Sequence, residues 1–279
     1  MQAGQPSRTA MAVARARAVH QSADEPRVFT DPFAARIVGA EAMRANEFDQ
    51  GLDPAVVRER RLLIAARSRL ADDVIAAALD RGIRQVVILG AGLDTSAYRN
   101  TRADVRYFEV DHPETQEWKR KRLTETGIEI PETLTFAPVD FEKSTLADGL
   151  ADAGLDRARG ALFVWLGVLM YLTGPSVDKT LRYIAEQGQT AEVVFDYRYP
   201  AEATTGVPEH ELRARANRVA SAGEPWLSYH TAEEIRAILR PLGFTEIQDR
   251  SAPELLTAYG VETGARSTTS GSHFVHARL

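Results

Sequence analysis

The chain predicts an α/β fold on a doubly wound, mainly parallel sheet of about seven strands, and three observations carry that prediction. Apolar runs of strand length recur at 85–89, 104–110, 134–139, 161–166 and 191–196, with helix-forming segments between them. Strands alternating with helices imply βαβ units with right-handed crossovers. The first run breaks into Gly90-Ala91-Gly92 and then continues as a helix, a strand-to-helix turn of the kind at which open α/β sheets bind ligands. Residues 244–249 and 272–278 alternate apolar and polar side chains, as an antiparallel pair closing one sheet edge would.

Residues 1–80 read as a helical cap packed on the core; 81–279 read as the core, with an insertion at about 197–228. The Ala-rich stretch from Met11 to Ala18 is a helix with Ser7 or Thr9 as its cap. Its arginines and the lack of acids before Asp24 superficially resemble a transit peptide, but the capped Ala-rich pattern is that of an ordinary folded helix, and it lacks the long apolar region of a secretory signal. After breaks at Asp31-Pro32 and Asp53-Pro54, Asp53 as N-cap and Pro54 at the first helical position begin a long helix to Leu79. Segments 112–126, 144–152 and 175–187 supply the crossover helices, and Gly174-Pro175-Ser176 marks a stop and a restart. Beyond Asp196 the alternation lapses into a polar stretch with a charged helix near 209–221. Thr231 then starts a short helix ending near Gly243, and the Gly/Ser/Thr-rich 260–271 reads as a mobile loop.

Composition narrows the function classes. A 279-residue chain with 44% hydrophobic and 26% charged residues is ordinary for a globular protein. A net charge of −5 disfavours a nucleic-acid partner, and no apolar run reaches the roughly 18 residues of a membrane span. The dense basic run Lys119-Arg120-Lys121-Arg122 reads as a solvated helix face. Without cysteine there is no disulfide, thiol nucleophile or thiolate metal site, which is compatible with a cytoplasmic location. No metal is expected, and the oligomeric state stays open.

The turn at 90–92 lacks the third glycine of a dinucleotide fingerprint and continues Leu93-Asp94-Thr95. An acid at a helix start repels phosphate, so the turn suits a cofactor with adenosine but no phosphate, and S-adenosylmethionine fits. Ribose hydroxyls call for a carboxylate at the end of the second strand, where Glu109 and Asp111 point the same way and Asp111 stands at the tip, unless it caps the next helix. Asp140 and Phe141 after the third strand supply an acceptor and an aromatic wall for adenine. A methionine carboxylate needs a cation with fork geometry; Arg67 and Arg69 precede the turn, although from the residues alone each reads as a surface charge.

The ordered set Leu89-Gly90-Ala91-Gly92-Leu93-Asp94-Thr95, Glu109-Val110-Asp111-His112-Pro113, Val139-Asp140-Phe141 and Trp165 to Leu172 resembles the leucine carboxyl methyltransferase family. Thr9 to Arg17, Phe29 to Ala34 and Phe195-Asp196-Tyr197 extend the resemblance over roughly three quarters of the chain. It is most similar to the actinobacterial branch of small-molecule S-adenosylmethionine-dependent O-methyltransferases, some acting on polyketides. The resemblance implies a Rossmann-like class I methyltransferase fold. It also implies that Gly90 and Gly92 admit the cofactor, Asp111 binds ribose, Asp140 with Phe141 binds adenine, Arg67 holds the methionine carboxylate and Arg17 faces the cofactor. Leu166 stands where the protein-phosphatase methyltransferases have a glutamate, which argues against a phosphatase-tail substrate.

Methyl transfer from a sulfonium is an in-line displacement that alignment alone can accelerate, by roughly 7–11 kcal/mol when geometry is good. A carboxylate acceptor needs no base, only donors to position it, and Tyr171, Tyr197, Arg198 and Tyr199 follow strand ends facing the site. A hydroxyl acceptor would need a base; His20, His112, His210 and His230 are candidates, with His273 and His276 less suited. No histidine stands out, which tilts the reading towards a carboxylate of a small molecule such as a polyketide-type metabolite. A regulatory protein that binds the cofactor without turnover, or methylation of a peptide C-terminus, are the alternatives. An oxidoreductase would want glycine near Asp94, and a nucleic-acid methyltransferase an Asn/Asp-Pro-Pro-aromatic motif.

Overall fold

The computed structural model describes residues 7–40, 47–140, 144–188, 190–204, 208–262 and 271–279. Its strands are β1 (Gln85–Leu89), β2 (Arg106–Asp111), β3 (Leu134–Pro138), β4 (Leu162–Trp165), β5 (Glu192–Arg198), β6 (Glu246–Ser251) and β7 (Ser272–Arg278). They form one sheet in the order β3-β2-β1-β4-β5-β7-β6. The first five run parallel, and β7 lies antiparallel between β5 and β6. The chain winds outward from β1 to β3 and then restarts at β4, so the switch point lies between β1 and β4, where open α/β sheets leave a crevice.

The helices are α1 (Arg8–Ala23), α2 (Ala34–Val38), α3 (Pro54–Asp80), α4 (Ser96–Arg99), α5 (Pro113–Glu125), α6 (Leu146–Asp152), α7 (Gly174–Ala185), α8 (Glu209–Ser221), α9 (Ala232–Leu239) and α10 (Ala252–Ala258). Two apolar cores cover the two sheet faces. Val86, Ile88, Val164 and Val194 pack with α1, α2, α3 and α10, while Val87, Leu89, Phe163 and Phe195 pack with α6, α7 and α9. Each such side chain, once fully buried, contributes roughly 1.5–3 kcal/mol. Among the described residues no helix is long and apolar enough to cross a membrane.

Most helix starts follow local chemistry. Ser7 accepts from Ala10 N at 3.1 Å to cap α1, and Asp53 accepts from Ala55 N at 2.7 Å with Pro54 in the first turn of α3. Thr231 with Glu234 closes a capping box on α9. Asp31 caps α2 through Phe33 N and Ala34 N, and its other oxygen accepts from the Thr95 hydroxyl at 2.7 Å. The Asp31-Pro32 break therefore ties the cap to the glycine turn.

Four expectations need correction. The helix after the glycine turn, α4, is a single turn. α10 has no counterpart in the sequence reading, although Ser251 and Glu254 form a capping box at its start. The cap of α5 is His112, not Asp111. The basic run is a solvated face only in part: Arg120 and Lys121 are exposed, Arg120 over the Phe136 ring at 4.0 Å, but Lys119 is 1% exposed and Arg122 Nε donates to Ile37 O at 2.9 Å. Long basic stems bury well when their heads find acceptors. Most of the 260–271 loop, 263–270, lies outside the described residues.

Candidate functional site

A cavity of about 1050 Å³ opens at the carboxyl ends of β1, β4 and β5, walled by α1, α3 and α8. That is at the upper end of ligand-site volumes and has room for two small molecules side by side. Its floor is the glycine turn. Gly90 N and Ala91 N both donate to Val110 O, at 2.9 and 3.0 Å, which folds the chain back over the end of β2. Gly90 and Gly92 have φ of +66° and +46°, a region that favours glycine, and a Cβ on Gly90 would run into Val168.

Asp111, at the tip of β2, faces this turn. Its Oδ2 accepts from Gly92 N at 2.6 Å and its Oδ1 from His112 N at 2.7 Å. The Thr115 hydroxyl bonds the same carboxylate, which leaves it about one of its four lone-pair sites for a ligand hydroxyl. Burial pushes the Asp111 carboxyl up from its ordinary range, opposed by those two N–H groups and by Lys119. Asp94 also lines the cavity; burial would raise its pKa, but Arg17 and Lys119 hold it below the usual value.

Glu109 does not share this position. It is 0% exposed, receives Lys119 Nζ at 2.7 Å, and burial pushes its carboxyl up to about 7. Lys119 Nζ also donates to Asp94 O at 2.8 Å, so the pair braces the turn from behind and cannot reach a ribose.

Arg17 and Arg67 are among the arginines of the cap that line the cavity. Arg17, 5% exposed, donates to Leu93 O and stands 3.9 Å from both Asp31 and Asp94, and its buried Nε has no hydrogen-bond partner. Arg67 reaches Asp196 Oδ2 at 3.3 Å, and the other Asp196 oxygen accepts from Gly167 N. Gly167 has φ of +76°, and a Cβ there would stand 3.0 Å from Arg67 Nη1. Arg69 points elsewhere: it pairs with Asp73 at 2.7 Å and is half exposed.

The acceptor candidates divide by strand alternation. Arg198 and Tyr171 line the cavity. Arg198 donates to Ser272 Oγ and lies 4.3 Å from the Trp226 ring; burial lowers its pKa, and its buried Nε has no partner. Tyr197 and Tyr199 are on the opposite side of β5: Tyr197 is 0% exposed and donates to Asp249 at 2.7 Å, and Tyr199 stacks on His273 at 4.7 Å. Neither lines the cavity. Neighbouring residues of a strand point to opposite faces, so Arg198 excludes both tyrosines and selects Asp196, a residue the sequence reading quoted without giving it a role.

The histidines mostly serve structure. His20 is buried against Asp24 at 2.9 Å, His112 caps α5, His273 bonds Asp249 at 3.0 Å and His276 bonds Glu192 at 2.9 Å. Burial lowers the pKa of His230, whose backbone N–H donates to Arg198 O at 2.8 Å and whose buried ring Nε2 has no hydrogen-bond partner. Among the described residues only His210 lines the cavity, and it is exposed. Asp140 follows β3, one strand beyond Asp111, and does not appear in the cavity wall; Phe141 lies outside the described residues.

The chain matches the family model of leucine carboxyl methyltransferase over residues 10–185. It is 27% identical over 308 residues to YktD of Bacillus subtilis, provisionally named an S-adenosyl-L-methionine-dependent methyltransferase, with 99% of each chain covered. A protein of Mycolicibacterium smegmatis with the same provisional name is 33% identical over 97% of this chain and 88% of its own length. Among solved structures, a duf574 family protein from Streptomyces avermitilis superposes with a TM-score of 0.62 at 16% identity, covering 95% of this chain and 96% of that one. The last is a likeness of fold.

Proposed function

The chain belongs to the leucine carboxyl methyltransferase family and is an S-adenosylmethionine-dependent methyltransferase, and from that premise we propose that its acceptor is the carboxylate of a small molecule. The residues of the cavity fit the methyl donor. Asp111 offers a free lone pair beside the glycine turn for a ribose hydroxyl, and Arg67 offers a fork for the methionine carboxylate, steadied by Asp196. The orphaned Nε of Arg17 is a further donor on the cofactor side. Asp140 and Phe141 remain the proposed adenine contacts. The N-terminal helices and the 197–228 segment are proposed to close over donor and acceptor together.

When bound, the donor supplies a methyl group already activated on a sulfonium, so the protein's task is alignment. Arg198 carries the acceptor reading. It is half-buried in the cavity wall, where Asp196 favours its charge without standing within ion-pair distance, and its buried Nε has no hydrogen-bond partner. A buried cation without a partner is costly, and an anionic ligand relieves that cost. A carboxylate is ionised at neutral pH, so it needs orientation by Arg198 and Tyr171 and no proton acceptor. The lack of a sheltered histidine in the described cavity wall agrees with that chemistry. A cavity walled by α1, α3 and α8 also suits a small molecule better than a folded protein surface.

Arg198→Gln tests this reading. Transfer of labelled methyl to the acceptor fraction of a cell extract should fall at least about a hundredfold, with S-adenosylhomocysteine affinity unchanged. Transfer at the wild-type rate would remove Arg198 from the acceptor site.

A further inference from the structure

A second group of cations lines the same cavity, away from the glycine turn: Arg60 from α3, and Arg215 and Arg218 from α8. The half-buried positions of α8 include Leu212, Arg215, Ala216 and Val219, which share one helical face. Arg215 therefore interrupts an otherwise apolar stripe turned inward, and it lies 5.7 Å from the Trp226 ring that Arg198 also covers. Among the described residues neither Arg215, half-buried, nor Arg218, exposed, has a carboxylate within ion-pair distance. Arg60 is held by Asp49 and Phe48 O, both at 2.9 Å. Burial drives the Arg215 pKa well below its usual value and Arg198 and Arg60 repel it further, more than Tyr171 and Glu59 of α3 offset. Glu211 and Glu224 reach this end of the cavity too, but Glu211 is exposed and Glu224 accepts from the Ser7 and Thr9 hydroxyls.

Position along α3 separates this group from the cofactor contacts. Arg60 precedes Arg67 by two helical turns on the same face, about 10 Å. No residue of α8 is fully buried, so apolar packing does little to hold that helix down over a cluster of like charges. An anion between α3 and α8 would cancel the repulsion and fix the helix in place.

We propose that the acceptor carries two anionic groups. The reacting carboxylate lies against Arg198, and a distal carboxylate or phosphate is held between α3 and α8 by Arg215 and Arg218, with Arg60 facing them. This rests on the carboxylate reading above. A lone pair of the reacting carboxylate forms the O–CH3 bond, the S–CH3 bond breaks with its electrons going to sulfur, and the distal anion is unchanged. The product keeps one negative charge fewer and loses its hold on Arg198.

Calorimetry on the full chain saturated with S-adenosylhomocysteine tests the proposal. Octanedioate, dodecanedioate and phosphonooctanoate are titrated, each against the monoacid of the same length. At least one bifunctional probe should bind roughly tenfold to a hundredfold more tightly than its monoacid. The double substitution Arg215→Gln, Arg218→Gln should remove that advantage while leaving monoacid and S-adenosylhomocysteine affinities unchanged, the latter showing that the fold is intact. The diacid and phosphonate arms identify the preferred distal group. Equal binding of every pair, no binding at all, or an advantage that survives the double substitution would overturn the proposal. If octanoate binding depends on Arg198 and bifunctional probes gain nothing, only the second anion site fails. Octanoate binding indifferent to Arg198→Gln would sink the carboxylate reading as well.

Discussion

At the scale of single residues, Asp111 and Arg67 carry the cofactor assignment and can be separated by experiment. Asp111→Ala removes the acceptor beside Gly92 N and should weaken S-adenosylhomocysteine at least about a hundredfold by calorimetry. Affinity retained within a few fold would remove Asp111 from the ribose role. Arg67→Ala should weaken S-adenosylhomocysteine roughly tenfold to a hundredfold and leave adenosine unchanged, because only the former carries the carboxylate. Equal losses for both would mean that Arg67 acts through Asp196 on the shape of the cavity. Asp111 was legible in the sequence because a strand end and a glycine turn fix its place. Glu109 was not separable from it, since alternation puts both on one face and only the third dimension brings Lys119 to Glu109. Tyr197 and Tyr199 could have been excluded by the same alternation, once Arg198 was chosen.

At the scale of elements, α1 and α3 form the cap over the cofactor side, and one buried ion cluster ties them. Asp24, just past the end of α1, accepts from Arg61 Nε and Nη2 of α3, both at 2.6 Å, and from His20 at 2.9 Å. Burial alone would raise the Asp24 carboxyl, but Arg61 and His20 outweigh it and hold the carboxyl below its ordinary 3.8. Its contribution to stability is therefore complete above that value, where the unfolded carboxyl is also ionised, and is lost as pH falls through the depressed folded pKa. Asp24→Ala should cost about 3–5 kcal/mol in denaturant unfolding near neutral pH and flatten the acid limb below about pH 4. An unchanged acid limb would show that the cluster does not hold the cap. Helix starts such as Ser7, Asp53 and Thr231 were readable because capping is local. The burial of Lys119 was not, because it depends on Glu109 of β2 and the Asp94 carbonyl being brought alongside.

At the scale of the whole molecule, the sheet order puts β1, β4 and β5 next to each other, and their carboxyl ends assemble one cavity from residues more than a hundred positions apart. The strand–helix alternation made that sheet predictable, and the alternating tail predicted its antiparallel edge. The acceptor end was less legible. α8 was foreseen near 209–221, but its helical period alone could not say which face turns inward, so nothing singled out Arg215. A carboxylate acceptor leaves the methyl group as an ester on a small molecule. Incubating the protein and a cell extract with labelled S-adenosylmethionine, separating the products by mass and treating the labelled species with mild alkali reads this out. Label should appear in a low-mass compound and be released as methanol by alkali. Label that stays bound through alkali, or that travels with polypeptide, would contradict a small-molecule carboxylate acceptor.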